Sequence, residues 1–403
     1  MDSKLLKQLT ADYGDAFYIF DSKQFKANFI ELKHAFASIY PNFNIAYSYK
    51  TNYTPKLCKL IDELGGYAEV VSDMEMEIAL RLGVAANKII WNGPYKNYAK
   101  AEQLLLSGGT VNIDSAYEID KIKDIATRYP EKRLNLGIRV NFDINDGVTS
   151  RFGFDVQSDD FKRALRLTQE EKNINLVGIQ CHFATRSLQT WTPRAEKMLE
   201  LLDKLQITPA HIDLGGGLFG KMHDSLKAQF DSYIPTYEEY AQAVAPLFAE
   251  HYKNSESKPL LLIEPGSALV GDCMKFVSKV VNIKQVRGKP IATLLGSIYN
   301  INPTLNKKNP PIEVYSLGKE QKNYKDLDFG GFTCIESDYL YRHYEGKLAQ
   351  GDIVVFGNVG SYSVVLKPPF ILPNFPVIEI TDNGVELIKR GEVFDDLFHT
   401  FTF

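Results

Sequence analysis

The stretch Phe43–Asn52, FNIAYSYKTN, runs through apolar residues and two tyrosines into a lysine, Lys50, at the point where a strand should turn toward solvent. Runs of the same texture as its "IAYSYK" follow in succession: "YAEVVS", "IIWNGP", "TVNID", "NLGIRVN", "LVGIQCHF", "HIDLGGG" and "LLLIEPG". Between them lie segments of helical period, among them "TPKLCKLIDELGG", "DMEMEIALRLG", "NYAKAEQLLLSGG" and "TYEEYAQAVAPLFAEHYK". Several open on Ser, Asp or Thr and close near Gly, as capped helices do. Strand and helix alternating eight times predict an α/β chain built on a (β/α)8 TIM barrel, whose chemistry sits at the C-terminal ends of the strands. An open doubly wound sheet is the competing architecture.

After Pro265 the pattern changes to "FVSKVVNIKQV", "KPIATLLGSIYNI", "IEVYSLG", "GDIVVFG" and "FPVIEIT", apolar or alternating runs broken by Gly, Pro, Asn and Asp. These read as an antiparallel β domain, and the early "AFYIFD" reads as a strand lent to it before the barrel begins. The division expected is a barrel over residues 24–265 and a β domain of residues 1–23 with 266–403.

At 403 residues, 44% apolar and 24% charged, the chain has the composition of an ordinary globular protein. The formal charge of −4 is spread along the chain with no basic face for phosphate backbones, which argues against nucleic acid. No apolar run approaches the roughly 20 residues of a membrane helix, and the charged opening "MDSKLLKQLTADYGDAF" lacks a signal-peptide core, so no membrane partner and a cytoplasmic location are expected. Cys58, Cys181, Cys273 and Cys334 are too far apart for a zinc or redox motif and read as small buried apolar residues, Cys334 excepted.

In a barrel the strand ends converge on one rim. Here they carry Lys50, Ser72, Asn92, Asp114, Arg139 with Asn141, His182, Gly215 to Gly217, and Glu264. Any one of these could be a plain buried or surface residue; the set together points to a site. Glycine amides without Cβ atoms can cradle a phosphate. Gly215, Gly217 and Gly220 also satisfy G-x-G-x-x-G, but on the seventh run instead of the first, with the following acids Glu238 and Glu239 inside a helical segment, which argues against a dinucleotide. A strand-end lysine, a phosphate cradle and a carboxylate across the rim are what pyridoxal 5'-phosphate requires: a covalent anchor, a phosphate site, and a partner that keeps the pyridine nitrogen protonated.

Nearly end to end, the chain resembles the fold-type III pyridoxal-phosphate decarboxylases, the group of diaminopimelate and ornithine decarboxylases. "YSYKTN" is similar to the family's Y-A-x-K-A-N, "AEVVSDMEMEIAL" to D-V-V-S-x-x-E, "CHFATRS" to H-x-G-S, "DLGGGL" to the phosphate loop, "IEPGS" to E-P-G-R, "GGFTCIESDYL" to G-P-x-C-E-S-x-D, and "GDIVVFGNVGSY" to the segment ending G-A-Y. The resemblance implies an alanine racemase-like or ornithine decarboxylase-like fold: a barrel followed by a β-sandwich or barrel-like domain. It implies that Lys50 holds the cofactor, Glu264 supports the pyridine nitrogen, and His182 stacks on the ring. Gly215, Gly216, Gly217, Thr185, Gly266, Ser267 and Tyr362 would surround the phosphate, with Arg139 and Glu69 completing the cofactor set. Cys334 would act as a proton donor across a homodimer with shared active sites.

Family members that read diaminopimelate use the arginine of E-P-G-R, the arginine and tyrosine of R-P-x-L-Y, and a glutamate directly after the motif cysteine. Those positions here hold Ser267, Asn302, Asn306 and Ile335. An isoleucine would leave a buried ammonium unpaired, at a cost of several kcal/mol. The departures imply a decarboxylase acting on a conjugated or carrier-linked amino acid, with Asn302, Glu336, Arg186 and Tyr95 as candidate substrate contacts. A genuine diaminopimelate decarboxylase, a racemase on the same fold and a non-catalytic paralogue are the alternatives.

Overall fold

The structure is a computed structural model that describes residues 2–402. Its chain groups into two compact units: one of Lys26–Gly220 with Ser232–Ala268, the other of the residues up to Phe25, Lys221–Asp231, and those from Leu269 onward.

The first unit is a closed parallel barrel of strands β1 (Phe43–Ser48), β2 (Tyr67–Val70), β3 (Ile89–Trp91), β4 (Thr110–Ile113), β5 (Leu134–Asn141), β6 (Ile174–Gln180), β7 (His211–Asp213) and β8 (Leu260–Ile263). Each of the eight runs read from the sequence is one of these strands. Closure is made by β8 pairing with β1, Leu261 opposite Phe43, and the open-sheet alternative fails on that contact. The strands are buried on both faces, which is why they read as apolar runs and not as alternating ones. Helices such as Asp73–Arg81, Asp159–Glu170 and Tyr237–His251 return the chain between strands, started by side-chain caps at Ser72, Ser158 and Thr236. Glu238 and Glu239 fall inside the last of these, in keeping with the case against a dinucleotide site. A two-residue strand, Phe154–Asp155, adds to β5 outside the ring.

The second unit is a nine-stranded mixed sheet. The early strand Ala16–Phe20 belongs to it, antiparallel to Met274–Val286 with Phe17 opposite Val277. The sheet departs from a purely antiparallel one in two places. Ala16–Phe20 runs parallel to Val377–Thr381, and Lys289–Leu294 runs parallel to Lys322–Gly330. Neither pair is joined by a hairpin, and the long intervening chain frees the strand direction. Its core includes Leu6, Leu9, Phe17, Ile19, Val277, Ile353, Val355 and Ile378, with the two leucines supplied by the helix Ser3–Tyr13. Each such side chain contributes on the order of 1.5–3 kcal/mol on burial. Lys221–Asp231, inside the span expected for the barrel, groups here: Gln229 exchanges hydrogen bonds with Asn309, and the Lys308 ammonium lies over the Phe230 ring.

Among the described residues no helix is long and apolar enough to cross a membrane. Cys58, Cys181 and Cys273 are buried and Cys334 is exposed, and all four are free thiols.

Candidate functional site

At the end of β1 the chain makes a tight turn, Tyr49–Thr51, that sets Lys50 at the rim. Its ammonium meets Glu69 Oε2 at 2.6 Å and Ser48 Oγ at 3.4 Å. Glu69, buried at the end of β2, also accepts from Ser48 Oγ at 2.7 Å and Asn92 Nδ2 at 3.1 Å. Burial alone would raise the Glu69 carboxyl, but the charge and hydrogen bond of Lys50, helped by Ser48 and Asn92, hold it below the usual carboxylate range. Lys50 is therefore oriented by a charged partner while its side chain stays about one-third exposed.

Asn92 links this pair to the carboxylate across the rim, donating also to Glu264 Oε1 at 2.5 Å. Gln180, at the end of β6, approaches both Glu264 oxygens at 3.3 Å. Burial, then the adjacent Asp213 and Glu69, push the Glu264 carboxyl well above its ordinary value, with Lys50 opposing. Burial likewise raises Asp213, to about 6. Two buried carboxyls side by side share a proton more readily than both ionise. The Asp213 side chain is hydrogen-bonded to Glu264, and its Oδ1 accepts from the Gly215 amide at 2.8 Å.

His182 follows β6. Its Nδ1 accepts from the Gly216 amide at 2.9 Å, which places the proton on Nε2. Burial, followed by the cations Lys50, Arg139 and Arg194, drives its pKa well below the ordinary value, so the ring is neutral and its 3.8 Å approach to Glu264 is no ion pair. A neutral imidazole with a fixed edge is suited to stacking on a flat heteroaromatic ring.

The glycine loop is braced from behind by Arg194, a fully buried residue on the helix Trp191–Leu205. Its guanidinium donates to the carbonyls of Leu214 at 2.9 Å, Gly216 at 2.7 Å and Phe183 at 3.2 Å, while Trp191 Nε1 donates to the Gly217 carbonyl at 3.3 Å. In a trans peptide the N–H points opposite to the C=O, so pinning the Gly216 and Gly217 carbonyls turns the Gly217 and Leu218 amides the other way. Gly215 and Gly217 hold φ of +71° and +90°, open to glycine at little cost. A Cβ on Gly216 would stand 2.5 Å from the Glu264 carbonyl oxygen, and one on Gly266 would stand 2.0 Å from Thr51 Oγ1. We expect Gly216→Ala to weaken cofactor retention roughly tenfold or more, the equivalent of one charge-assisted hydrogen bond, measured as cofactor absorbance remaining after dialysis.

The other expected cofactor residues have varied surroundings. Arg139 is buried, pairs with Asp114 at 3.3 Å, and keeps an unpartnered Nε. Thr185 donates to Asp146 Oδ2 at 2.5 Å, an acidic neighbour that the H-x-G-S resemblance did not foreshadow. Ser267 is half-buried. Tyr362, in the second unit, is half-buried at a left-handed φ of +64°, its carbonyl accepting from the Val365 and Leu366 amides. Such a conformation in a tyrosine is held only where the surroundings enforce it.

Cys334 is exposed on the turn between strands Lys322–Gly330 and Tyr339–Leu348. Buried Asp338 shapes that turn by accepting from the Ile298 amide at 2.7 Å and Thr333 Oγ1 at 2.6 Å. Of the candidate substrate contacts, Tyr95, Arg186 and Glu336 are exposed, with the Arg186 guanidinium 5.5 Å from the Phe219 ring centroid. Asn302 is engaged in its own turn: Nδ2 donates to the Asn306 carbonyl and Oδ1 accepts from Thr304 and Asn306. Sequence reading missed Gln180, Asp213, Trp191 and Arg194. The first two were findable as polar residues at strand ends; nothing in the sequence marks Arg194.

A rim lysine, a buried carboxyl pair, a neutral histidine and a braced glycine loop fit a phosphorylated pyridine aldehyde. The sequence also matches known families over most of its length. The family described as "Pyridoxal-dependent decarboxylase, pyridoxal binding domain" matches residues 23–271. The diaminopimelate decarboxylase of Methanocaldococcus jannaschii is 26% identical, over 97% of this chain and 92% of its own length. That of Bacteroides thetaiotaomicron is 28% identical, over 89% and 94%. The crystal structure of the M. jannaschii enzyme superposes with a TM-score of 0.88 at 24% identity, over 98% of this chain and 94% of that one, and so shares its fold. The barrel with its mixed-sheet companion, the rim lysine and the matched segment together place this chain in the family of pyridoxal-phosphate-dependent decarboxylases, carboxy-lyases that act on amino acids.

Proposed function

We propose that the amino acid decarboxylated is diaminopimelate, the reading supported by kinship along nearly the whole chain with enzymes named for that reaction. The conjugated or carrier-linked substrate expected from the sequence departures has no counterpart among these relatives and gives way to it. In this reading Lys50 anchors the cofactor and yields its place to the substrate amine. The bound cofactor supplies an electron sink for the pair left at Cα when carbon dioxide departs. Glu264 and Asp213 hold the proton that keeps the pyridine nitrogen charged, His182 covers one ring face, and the Gly217 and Leu218 amides hold the phosphate. Two copies pair so that Cys334 of one, presented on its Asp338-braced turn, returns a proton to Cα in the other.

The test is carbon dioxide release by the cofactor-loaded protein from meso-diaminopimelate, lysine, ornithine, arginine and glutamate. Release from meso-diaminopimelate at a kcat/KM at least about tenfold above the others is expected. Silence there, with turnover of another amino acid, would overturn the substrate while leaving the decarboxylase class standing.

A further inference from the structure

Asn92 follows β3, Asn112 lies in β4 and Gln180 ends β6; all three amide side chains are buried in the barrel. Asn92 Nδ2 meets two carboxylates at once, Glu69 Oε1 at 3.1 Å and Glu264 Oε1 at 2.5 Å, and its Oδ1 accepts from Asn112 Nδ2 at 2.7 Å. These partners settle which end of the amide is which: turned over, Asn92 would set its carbonyl against two carboxylates. Asn112 reaches it across Gly137, where a Cβ would stand 1.7 Å from the Asn112 Oδ1. Gln180 Nε2 approaches both Glu264 oxygens at 3.3 Å. The acceptor ends are left bare: among the described residues Asn112 Oδ1 and Gln180 Oε1 have no hydrogen-bond partner. Burying an amide carbonyl without a partner is unfavourable, and an apolar side chain of similar shape would avoid it. What Asn92 and Gln180 contribute in return is their N–H groups, directed at Glu264 and, from Asn92, at Glu69 as well.

We propose that Asn92 and Gln180 are positioning residues that keep the proton on the pyridine nitrogen of the bound cofactor and off Glu264. A carboxylate that faces a pyridinium competes for its proton, and competes better the stronger it is as a base. Glu264 is placed to be a strong base, because burial, then Asp213 and Glu69, push its carboxyl well above the ordinary value. N–H groups that donate to a carboxylate favour its charged form and oppose that rise. Asp213 cannot serve in their stead, since a second carboxyl raises Glu264 further. Asn92 acts twice. Its contact with Glu69 helps to hold that carboxyl low, and Glu69 is the partner of the Lys50 ammonium. One amide thus favours the charged form of both carboxylates, the one beside the rim lysine and the one across the rim.

The inference deepens the proposed function and rests on one part of it, the placing of Glu264 at the pyridine nitrogen. It does not depend on which amino acid is decarboxylated. A charged ring nitrogen strengthens the electron sink. Loss of either donor should therefore lower kcat while leaving cofactor retention, the task of the glycine loop, nearly unchanged.

The experiment loads the wild type and its Gln180→Met, Asn92→Ala and Glu264→Gln variants with pyridoxal phosphate isotopically labelled at the ring nitrogen. The chemical shift of that nitrogen separates a protonated pyridine from an unprotonated one. Gln180→Met keeps the length of the side chain and removes a carbonyl that has no partner, so it should fold as the wild type does, checked by melting temperature. Displacement of the shift toward the unprotonated value is expected in Gln180→Met and in Asn92→Ala. The same two variants should lose about tenfold in kcat, with KM and cofactor retention within about threefold of wild type. A wild-type shift in both, with Glu264→Gln displaced, overturns the assignment and leaves Glu264 at the ring, and it does so even if kcat has fallen, since a merely structural role would lower kcat alone. A wild-type shift in all three variants removes Glu264 from the pyridine nitrogen and takes the inference with it. The shift is read without turnover, so the result stands whether or not diaminopimelate is decarboxylated.

Discussion

Lys50→Ala abolishes carbon dioxide release, with a loss of at least about 10⁴-fold, because no other group at the rim can take over the covalent anchor. Asn92, Gln180 and Ser48 carry no nucleophilic amine, and Lys96, buried in the loop after β3, is paired to Glu118 at 2.8 Å. The substitution also removes the charge that holds Glu69 low. Burial, the leading influence on that carboxyl, then pushes it upward against the remaining hydrogen bonds of Ser48 and Asn92. The glycine loop is untouched, so the variant should still bind the cofactor but lose the mass increase that borohydride reduction fixes on Lys50 in the wild type. Circular dichroism should be unchanged, since Lys50 lies on a turn at the rim and not in the barrel core. Residual release within about a hundredfold of wild type would show that Lys50 is not the anchor.

What the sequence made legible follows from how buried strands differ from everything else. β1 to β8 appear as short apolar runs because both faces of each strand are covered, and their last residues turn polar because they leave the core. Lys50, His182 and Glu264 were visible for that reason: each breaks an apolar run at the same relative place. The support behind them was not. Arg194 lies on a helix that otherwise reads as amphipathic, and only the fold turns its guanidinium inward to carbonyls some twenty residues away in sequence. Parallel pairing of Ala16–Phe20 with Val377–Thr381 joins opposite ends of the chain, a register that no local pattern encodes.

Glu264→Gln should lower kcat about 10²- to 10³-fold while leaving cofactor affinity within about threefold, because it removes a proton-holding group and leaves the phosphate loop intact. Glutamine keeps the shape but cannot share a proton with Asp213 or balance a charged pyridine nitrogen. It also turns an amide toward two amide donors, Asn92 and Gln180, which now both reach an acceptor. The apoprotein gives an independent readout. Glu264 and Asp213 both have carboxyl pKa values raised by burial, Asp213 to about 6. A raised folded value means that their favourable contribution is complete below the unfolded value, about 4, and is lost as pH rises through the folded values. Apoprotein melting temperature should therefore fall between about pH 4 and pH 7 in the wild type and fall less in Glu264→Gln, where one of the two carboxyls is gone. A variant that flattened this pH dependence yet kept kcat within about tenfold would show that Glu264 shapes the barrel rim without serving the pyridine nitrogen. Loss of kcat with the pH dependence unchanged would break the link between the shared proton and the chemistry. Only the two effects together place the carboxyl pair at the electron sink, since burial alone accounts for the first and proximity to the cofactor alone for the second.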